Sequence, residues 1–272
     1  MKQLSRRLAR TVATGGLMAL AGVFVTLTAS AQTASTAQHA KPTVVLVHGA
    51  FAESSSWDGV IRQLEAQHYP VIAAADPLRG VKSDAASIAS IVDSVQGPVV
   101  LVGHSYGGSV ISTAAAGKSN VKALVFVAAF APDAGESAAD LAGKFPGSTL
   151  GPALAPPVAL ADGGKDLYIL KNRFRDQFAA DVPAAAARLM AATQRPIAEA
   201  ALGEPAGAPA WKTVPSWFVY GDGDKNIPPA AQAFMAERAK SMKTVVVKGA
   251  SHVVMTSKPD VVAKLIVEAA NR

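Results

Sequence analysis

The chain has 272 residues, half of them hydrophobic and only 17% charged, which suffices for a sizeable core in one large domain and excludes a disordered chain. Its formal charge of +6 is concentrated at the start, where Lys2, Arg6, Arg7 and Arg10 precede the first acidic residue, Glu53. With residues 1–31 set aside, 22 basic side chains face 20 acidic ones, so the remainder is close to neutral and nucleic acid is not an expected partner. Cysteine is absent, which excludes disulfides and thiolate metal sites.

Taken in chain order, Lys2 to Arg10 forms a basic n-region and Gly15 to Ala29 an apolar stretch interrupted only by Thr26 and Thr28. Ala29-Ser30-Ala31 supplies the small-x-small pattern of a cleavage site, so residues 1–31 are expected to be a signal peptide. The apolar stretch is shorter than the roughly 20 residues of a spanning helix. The expectation is therefore export, periplasmic or secreted, with only transient membrane contact. Residues 32–41 read as a flexible leader, and 42–272 as the folded domain.

That domain alternates compact apolar runs with helical patterns. The runs are Thr43–Val47, Val71–Ala74, Val99–Val102, Ala123–Val127, Ser216–Tyr220 and Thr244–Val247. Each is apolar at successive positions, as a strand covered on both faces must be. Helices are predicted over 56–66, with Trp57, Val60, Ile61 and Leu64 on one stripe, and over 85–95, with Ile88, Ile91, Val92 and Val95. The pattern predicts an α/β fold, a doubly wound and mostly parallel sheet of about six strands. Between 133 and 213 no strand is expected. That Ala-, Pro- and Gly-rich interval, with its clearest helix over 183–193, reads as a helical cap insertion.

Gly103-His104-Ser105-Tyr106-Gly107 fits G-x-S-x-G, with a strand before it and a predicted helix over 108–116 after it. This context marks Ser105 as a nucleophile on a tight turn whose flanking glycines let strand and helix approach. A serine hydroxyl needs a base. Of the five histidines, His252 follows the last strand, at the carboxyl edge where open α/β sheets place their ligands. His39 and His68 read as solvated, His104 as a packing residue, and His48 as the start of a turn after the first strand. The imidazole in turn needs an acid. Asp222 and Asp224 share the loop after Ser216–Tyr220, and Asp133 is a third candidate; composition does not separate them. The amide of Tyr106, which follows the nucleophile, is the expected oxyanion donor. Gly117-Lys118-Ser119 closes a helix and lacks the first glycine of a phosphate loop. No H-E-x-x-H or paired-carboxylate motif occurs, so neither cofactor nor metal is expected.

These markers resemble the α/β-hydrolase superfamily. They are the elbow, His48-Gly49-Ala50-Phe51, Gly221-x-x-Asp224-x-x-x-Pro228 and Gly249-Ala250-Ser251-His252. The resemblance spans residues 41–272 apart from the insertion. It implies Asp224 as the acid, with Asp133 a minor alternative, and Ala50 as the second oxyanion donor, with Phe51 the alternative. The chain departs from the fuller pattern in one respect: about ten residues separate the expected cleavage site from the first strand, so the antiparallel strands that often open this fold are expected to be absent or vestigial. The function implied is an exported serine hydrolase that cleaves a small carboxylic ester through an acyl-enzyme. Aromatic residues of the insertion, Phe145, Tyr168, Phe174 and Phe178, are candidate pocket walls. Two alternatives stand beside this. The turn at His48 is also similar to that of plant methylesterases and hydroxynitrile lyases. The lyases carry a cap lysine (here Lys165 or Lys171) and a threonine where this chain has Gly49. A receptor that binds its ligand on a hydrolase scaffold without turnover is the other.

Overall fold

The computed structural model describes residues 41–272, so the expected signal peptide and all of the leader but Lys41 lie outside the described residues. Strands β1 (Thr43–Val47), β2 (Val71–Ala74), β3 (Val99–His104), β4 (Val121–Val127), β8 (Ser216–Gly221) and β9 (Lys243–Val247) form one sheet in the order β2-β1-β3-β4-β8-β9. All five pairings are parallel, and β1 is in register with β3 from Thr43 opposite Val99 to Val47 opposite Gly103. The expected doubly wound sheet of six strands is what forms.

Its central strands show why. Val44 to Val47, Val99 to Val102 and Ala123 to Val127 are all fully buried. Successive residues of a strand point to opposite faces, so burial of every one means that both faces are covered. The cover comes from amphipathic helices. Asp58–Glu65 buries Val60 and Leu64 and packs on Pro259–Ala270, which buries Val262, Leu265 and Ile266. Val81–Ser94 buries Ile88 and Val92 and packs on Gly107–Ala114. The first of these helices is preceded by a 3-10 turn, Ser54–Trp57, where the sequence pattern implied one continuous helix.

The chain runs outward from β1 to β2 and then returns to place β3 on the other side of β1. Such a reversal opens a crevice at the carboxyl ends of the two central strands. His48 and Gly49 leave β1 at that point, and Ser105 leaves β3. Asp224 and His252 follow β8 and β9 on the same edge.

The interval between β4 and β8 corrects one expectation. Besides helices Ala138–Lys144, Leu150–Ala153, Lys171–Phe178, Ala184–Thr193 and Glu199–Gly203, it holds a small antiparallel sheet of β5 (Val158–Ala159), β6 (Lys165–Leu167) and β7 (Ile197–Ala198). Strands of two or three residues lack a β-branched run, so no periodicity announces them. They are held from outside: Arg79 binds Asp166 of β6 at 2.6 Å and donates to the Pro196 carbonyl, and the Ala198 amide donates to the Leu78 carbonyl.

Candidate active site

Ser105 sits at φ +55°, in the left-handed region that costs a non-glycine residue energy. Its surroundings hold it there. The Ser105 amide donates to the Val127 carbonyl, and its own carbonyl accepts from Gly108 and Phe130. A Cβ at Gly103 would lie 2.5 Å from the Gly107 carbonyl, so only glycine lets β3 run this close to the following helix. The strained turn raises the serine above the sheet edge, where it stays 7% exposed.

His252 and Asp224 are buried together, with His252 Nδ1 2.8 Å from Asp224 Oδ2. Asp224 Oδ1 accepts from the amides of Asn226 and Ile227, and Oδ2 also from the Gln232 side chain at 2.8 Å. Three other donors therefore fix the carboxylate as an acceptor, so His252 Nδ1 carries a proton and donates to it, and Nε2 points away from the pair. Among the described residues Nε2 has no hydrogen-bond partner, Ser105 Oγ included. The final link of the expected triad is open here, as such contacts often are before substrate draws them together.

The rival acids are placed elsewhere. Asp222 accepts from the Gly249 amide and shapes the loop that carries His252. Asp133 is paired with Lys212, which holds its carboxyl below the usual range. The structure brings Asp224, and neither of the others, to His252.

The expected donors face one small cavity of about 90 Å³, lined by Ser105, Ala50 and Tyr106 and by Phe130, Ala142 and Leu202 among others. No charged side chain lines it. The Phe51 amide is taken by the Arg195 carbonyl at 2.9 Å, whereas among the described residues the amides of Ala50 and Tyr106 have no acceptor. Of the two alternatives for the second donor, Phe51 thus has its amide engaged and Ala50 does not. A Cβ at Gly49 would stand 2.6 Å from the His104 carbonyl and 2.7 Å from Ser105 Cβ, so this turn lies directly against the elbow.

Sequence reasoning missed several supports. His104 reads as packing, yet its Nε2 donates to the His252 carbonyl at 3.1 Å and its ring lies 4.7 Å from that of His252. Burial, with His252 beside it, holds the His104 pKa well below its ordinary value, so it remains a neutral prop. Gln232 contacts Asp224 from eight positions downstream, a spacing with no sequence signature. Of the aromatic residues offered as pocket walls, none lines the Ser105 cavity. Phe178 packs 5.1 Å from the His252 ring with Phe174 behind it, and Phe145 packs at a tilt against Phe234. The helix Lys171–Phe178 turns its apolar stripe onto His252, and alanines of Ala138–Lys144 take the wall instead.

Comparisons with known proteins agree with this architecture. The profile of the Alpha/beta hydrolase family matches residues 44–265. The chain is similar to Alpha/beta hydrolase nvfD of Aspergillus novofumigatus, at 26% identity with 85% of this chain and 97% of that protein covered. Among solved structures it is similar to polyneuridine aldehyde esterase, with TM-score 0.72, 19% identity, and 84% of this chain and 98% of that one covered. It also resembles an extracellular α/β-hydrolase from a Paenibacillus species, described as sharing structural and functional homology with tobacco salicylic acid binding protein 2. There the TM-score is 0.69 at 23% identity, with 85% of this chain and all of that one covered. At such identities the structural likeness carries the fold. The match over 44–265 carries more: this chain belongs to the alpha/beta hydrolase family.

Proposed function

We propose that the protein is an exported serine hydrolase that cleaves small, uncharged carboxylic esters through an acyl-enzyme on Ser105. The observation that carries this reading is the buried His252–Asp224 pair, whose free Nε2 belongs to a loop tied by His104 to the elbow of Ser105. In the proposed reaction Ser105 Oγ attacks the ester carbonyl and His252 Nε2 takes its proton. Asp224 holds the imidazolium, and the amides of Ala50 and Tyr106 donate to the oxyanion. The alcohol leaves with the proton from His252, and water repeats the sequence to release the acid. A cavity of about 90 Å³ with mostly apolar walls and no charged side chain among the described residues supports a small neutral acyl group, since pockets for drug-sized ligands span about 300–1,000 Å³. Export rests on the composition of residues 1–31.

Two observations weigh against lyase chemistry. The space at Gly49 has no room for the lyases' threonine, because even a Cβ would meet the His104 carbonyl. Lys165 is exposed and paired with Glu199, and Lys171 is exposed; neither lines the cavity. The receptor alternative is separated by turnover. Hydrolysis of p-nitrophenyl acetate and butyrate should proceed for many cycles, and Ser105→Ala and His252→Ala should each lower kcat by roughly three orders of magnitude or more. Persistence of turnover in Ser105→Ala would rule out this mechanism.

A further inference from the structure

Beneath the oxyanion turn lies a group of buried polar side chains that the proposed chemistry does not use: His48, Asp76, Asp84 and the Tyr106 hydroxyl. Asp76, Asp84 and His48 have no exposed surface. Two chains of hydrogen bonds run from this group to the two expected oxyanion donors. In the first, Tyr106 Oη donates to Asp84 Oδ2 at 2.9 Å. Asp84 is itself fixed by the amides of Arg79 and Gly80 and by the Ser83 hydroxyl, at the start of the helix Val81–Ser94. In the second, the Asp76 amide donates to His48 Nε2 at 3.0 Å, and His48 Nδ1 donates to the Gly49 carbonyl at 3.0 Å. Nε2 must be an acceptor, because a backbone N–H points at it, so the ring is neutral with its proton on Nδ1. Burial agrees, pushing the His48 pKa down to about 4. Gly49 precedes Ala50, so its carbonyl belongs to the peptide whose N–H is the second donor.

We propose that Asp84, which does not line the cavity, is a positioning residue that helps set the aim of the Tyr106 oxyanion donor by anchoring the Tyr106 hydroxyl. The inference rests on the serine hydrolase reading. The physical reason is that an oxyanion donor contributes only if its N–H is already aimed, and removing one such donor costs roughly 10²–10³ in kcat. Tyr106 opens the helix Gly107–Ala114 with φ −53° and has no side-chain capping bond. The carbonyl of the Ser105–Tyr106 peptide is held by the Gly108 and Phe130 amides; the long Tyr106 side chain adds a further anchor to the residue that carries the N–H, and Asp84 is the far end of that anchor. Asp76 is buried near Asp84, with its Oδ1 taken by the Leu78 amide. A carboxyl that keeps its proton can donate to its neighbour, and two buried carboxylates cannot both ionise cheaply. Burial first, then the Asp84 charge, raise Asp76 to about 8; Arg195 opposes this, and His48 and Tyr106 are the other titratable groups of the network.

The test uses Tyr106→Phe, Asp84→Asn and their double variant in the full chain. Tyr106→Phe removes one oxygen and keeps the ring, so the fold is preserved and melting temperature reports any failure. The expected result is a kcat lower by about tenfold or more with KM within about twofold, because the lost interaction is made only in the transition state. The double variant should lose no more than the worse single one, since both act through the same bond. Labelling of Ser105 by a fluorophosphonate is measured in parallel. There the Oγ–phosphorus bond forms, fluoride leaves and His252 takes the hydroxyl proton, so the oxyanion donors are read without deacylation. Tyr106→Phe should slow labelling by a similar factor. Unchanged kcat and labelling in a folded Tyr106→Phe would overturn the inference while leaving the serine hydrolase intact. Labelling of the parent without ester turnover would overturn the hydrolase reading, and slowed labelling in the variant would still support Asp84. A parent that does neither would remove both.

Discussion

Asp224 does one thing that no neighbour can replace: it holds His252 in the tautomer with Nε2 free. Asp224→Asn keeps the shape and can keep the contacts from Asn226 and Ile227, but its amide turns the imidazole toward the wrong tautomer. The expected loss in kcat is about three to four orders of magnitude with near-native circular dichroism. A loss below tenfold would show that Asp224 is not the orienting acid. The sequence reduced the acid to a short list because strand-end aspartates stand out. Composition did not choose between Asp222 and Asp224, which are two residues apart on one turn; the resemblance to the α/β-hydrolases did. The choice depends on which carboxylate meets a ring 28 positions further on, and a local pattern does not contain that. His104 and Asp84 escaped for the same reason, since each acts across a long stretch of chain, and Gln232 because its spacing of eight from Asp224 has no pattern.

Elements were far more legible than their contacts. Strands β1 and β2 carry unbroken apolar runs, and both ends of each match the sequence reading. The elbow was legible because G-x-S-x-G is a local demand for small residues at a strained turn. What the pattern hid was the insertion, whose short strands depend on Arg79 and the Leu78 carbonyl for their support. Its helices set the size of the site: Ala142 lies on Ala138–Lys144, and Leu202 on Glu199–Gly203. Leu202 is only half-buried, so shortening it should cost less stability than a core truncation, which runs at about 2–5 kcal/mol. Leu202→Ala should widen the cavity and shift kcat/KM from acetyl toward hexanoyl esters, by several-fold in the ratio. An unchanged ratio across acetate, butyrate and hexanoate would mean that this wall does not touch the acyl chain.

For the molecule as a whole, the buried carboxyl of Asp76 links stability to pH. Its folded pKa, about 8, lies above the ordinary 3.8, so folding favours the protonated form. Its contribution to stability is complete below about pH 4 and is lost as pH rises toward 8. Asp76→Asn cannot ionise at any pH. Melting temperature, measured from pH 4 to 9 at fixed ionic strength, should fall more steeply in the parent than in Asp76→Asn. Parallel curves would show that Asp76 is already ionised in the folded protein. The larger architecture needs no such device: the strands of one parallel sheet, buried at its centre, place four loops on one edge, and the chemistry is grafted there.

The central claim is the acyl-enzyme on Ser105, and partitioning between water and added methanol tests it most directly. Acetyl esters with p-nitrophenol and phenol as leaving groups would be compared, with acetate and methyl acetate both quantified. A common acyl-enzyme predicts one ratio of methyl acetate to acetate for both esters, and no products from Ser105→Ala. A ratio that changes with the leaving group, or turnover that survives Ser105→Ala, would contradict the account.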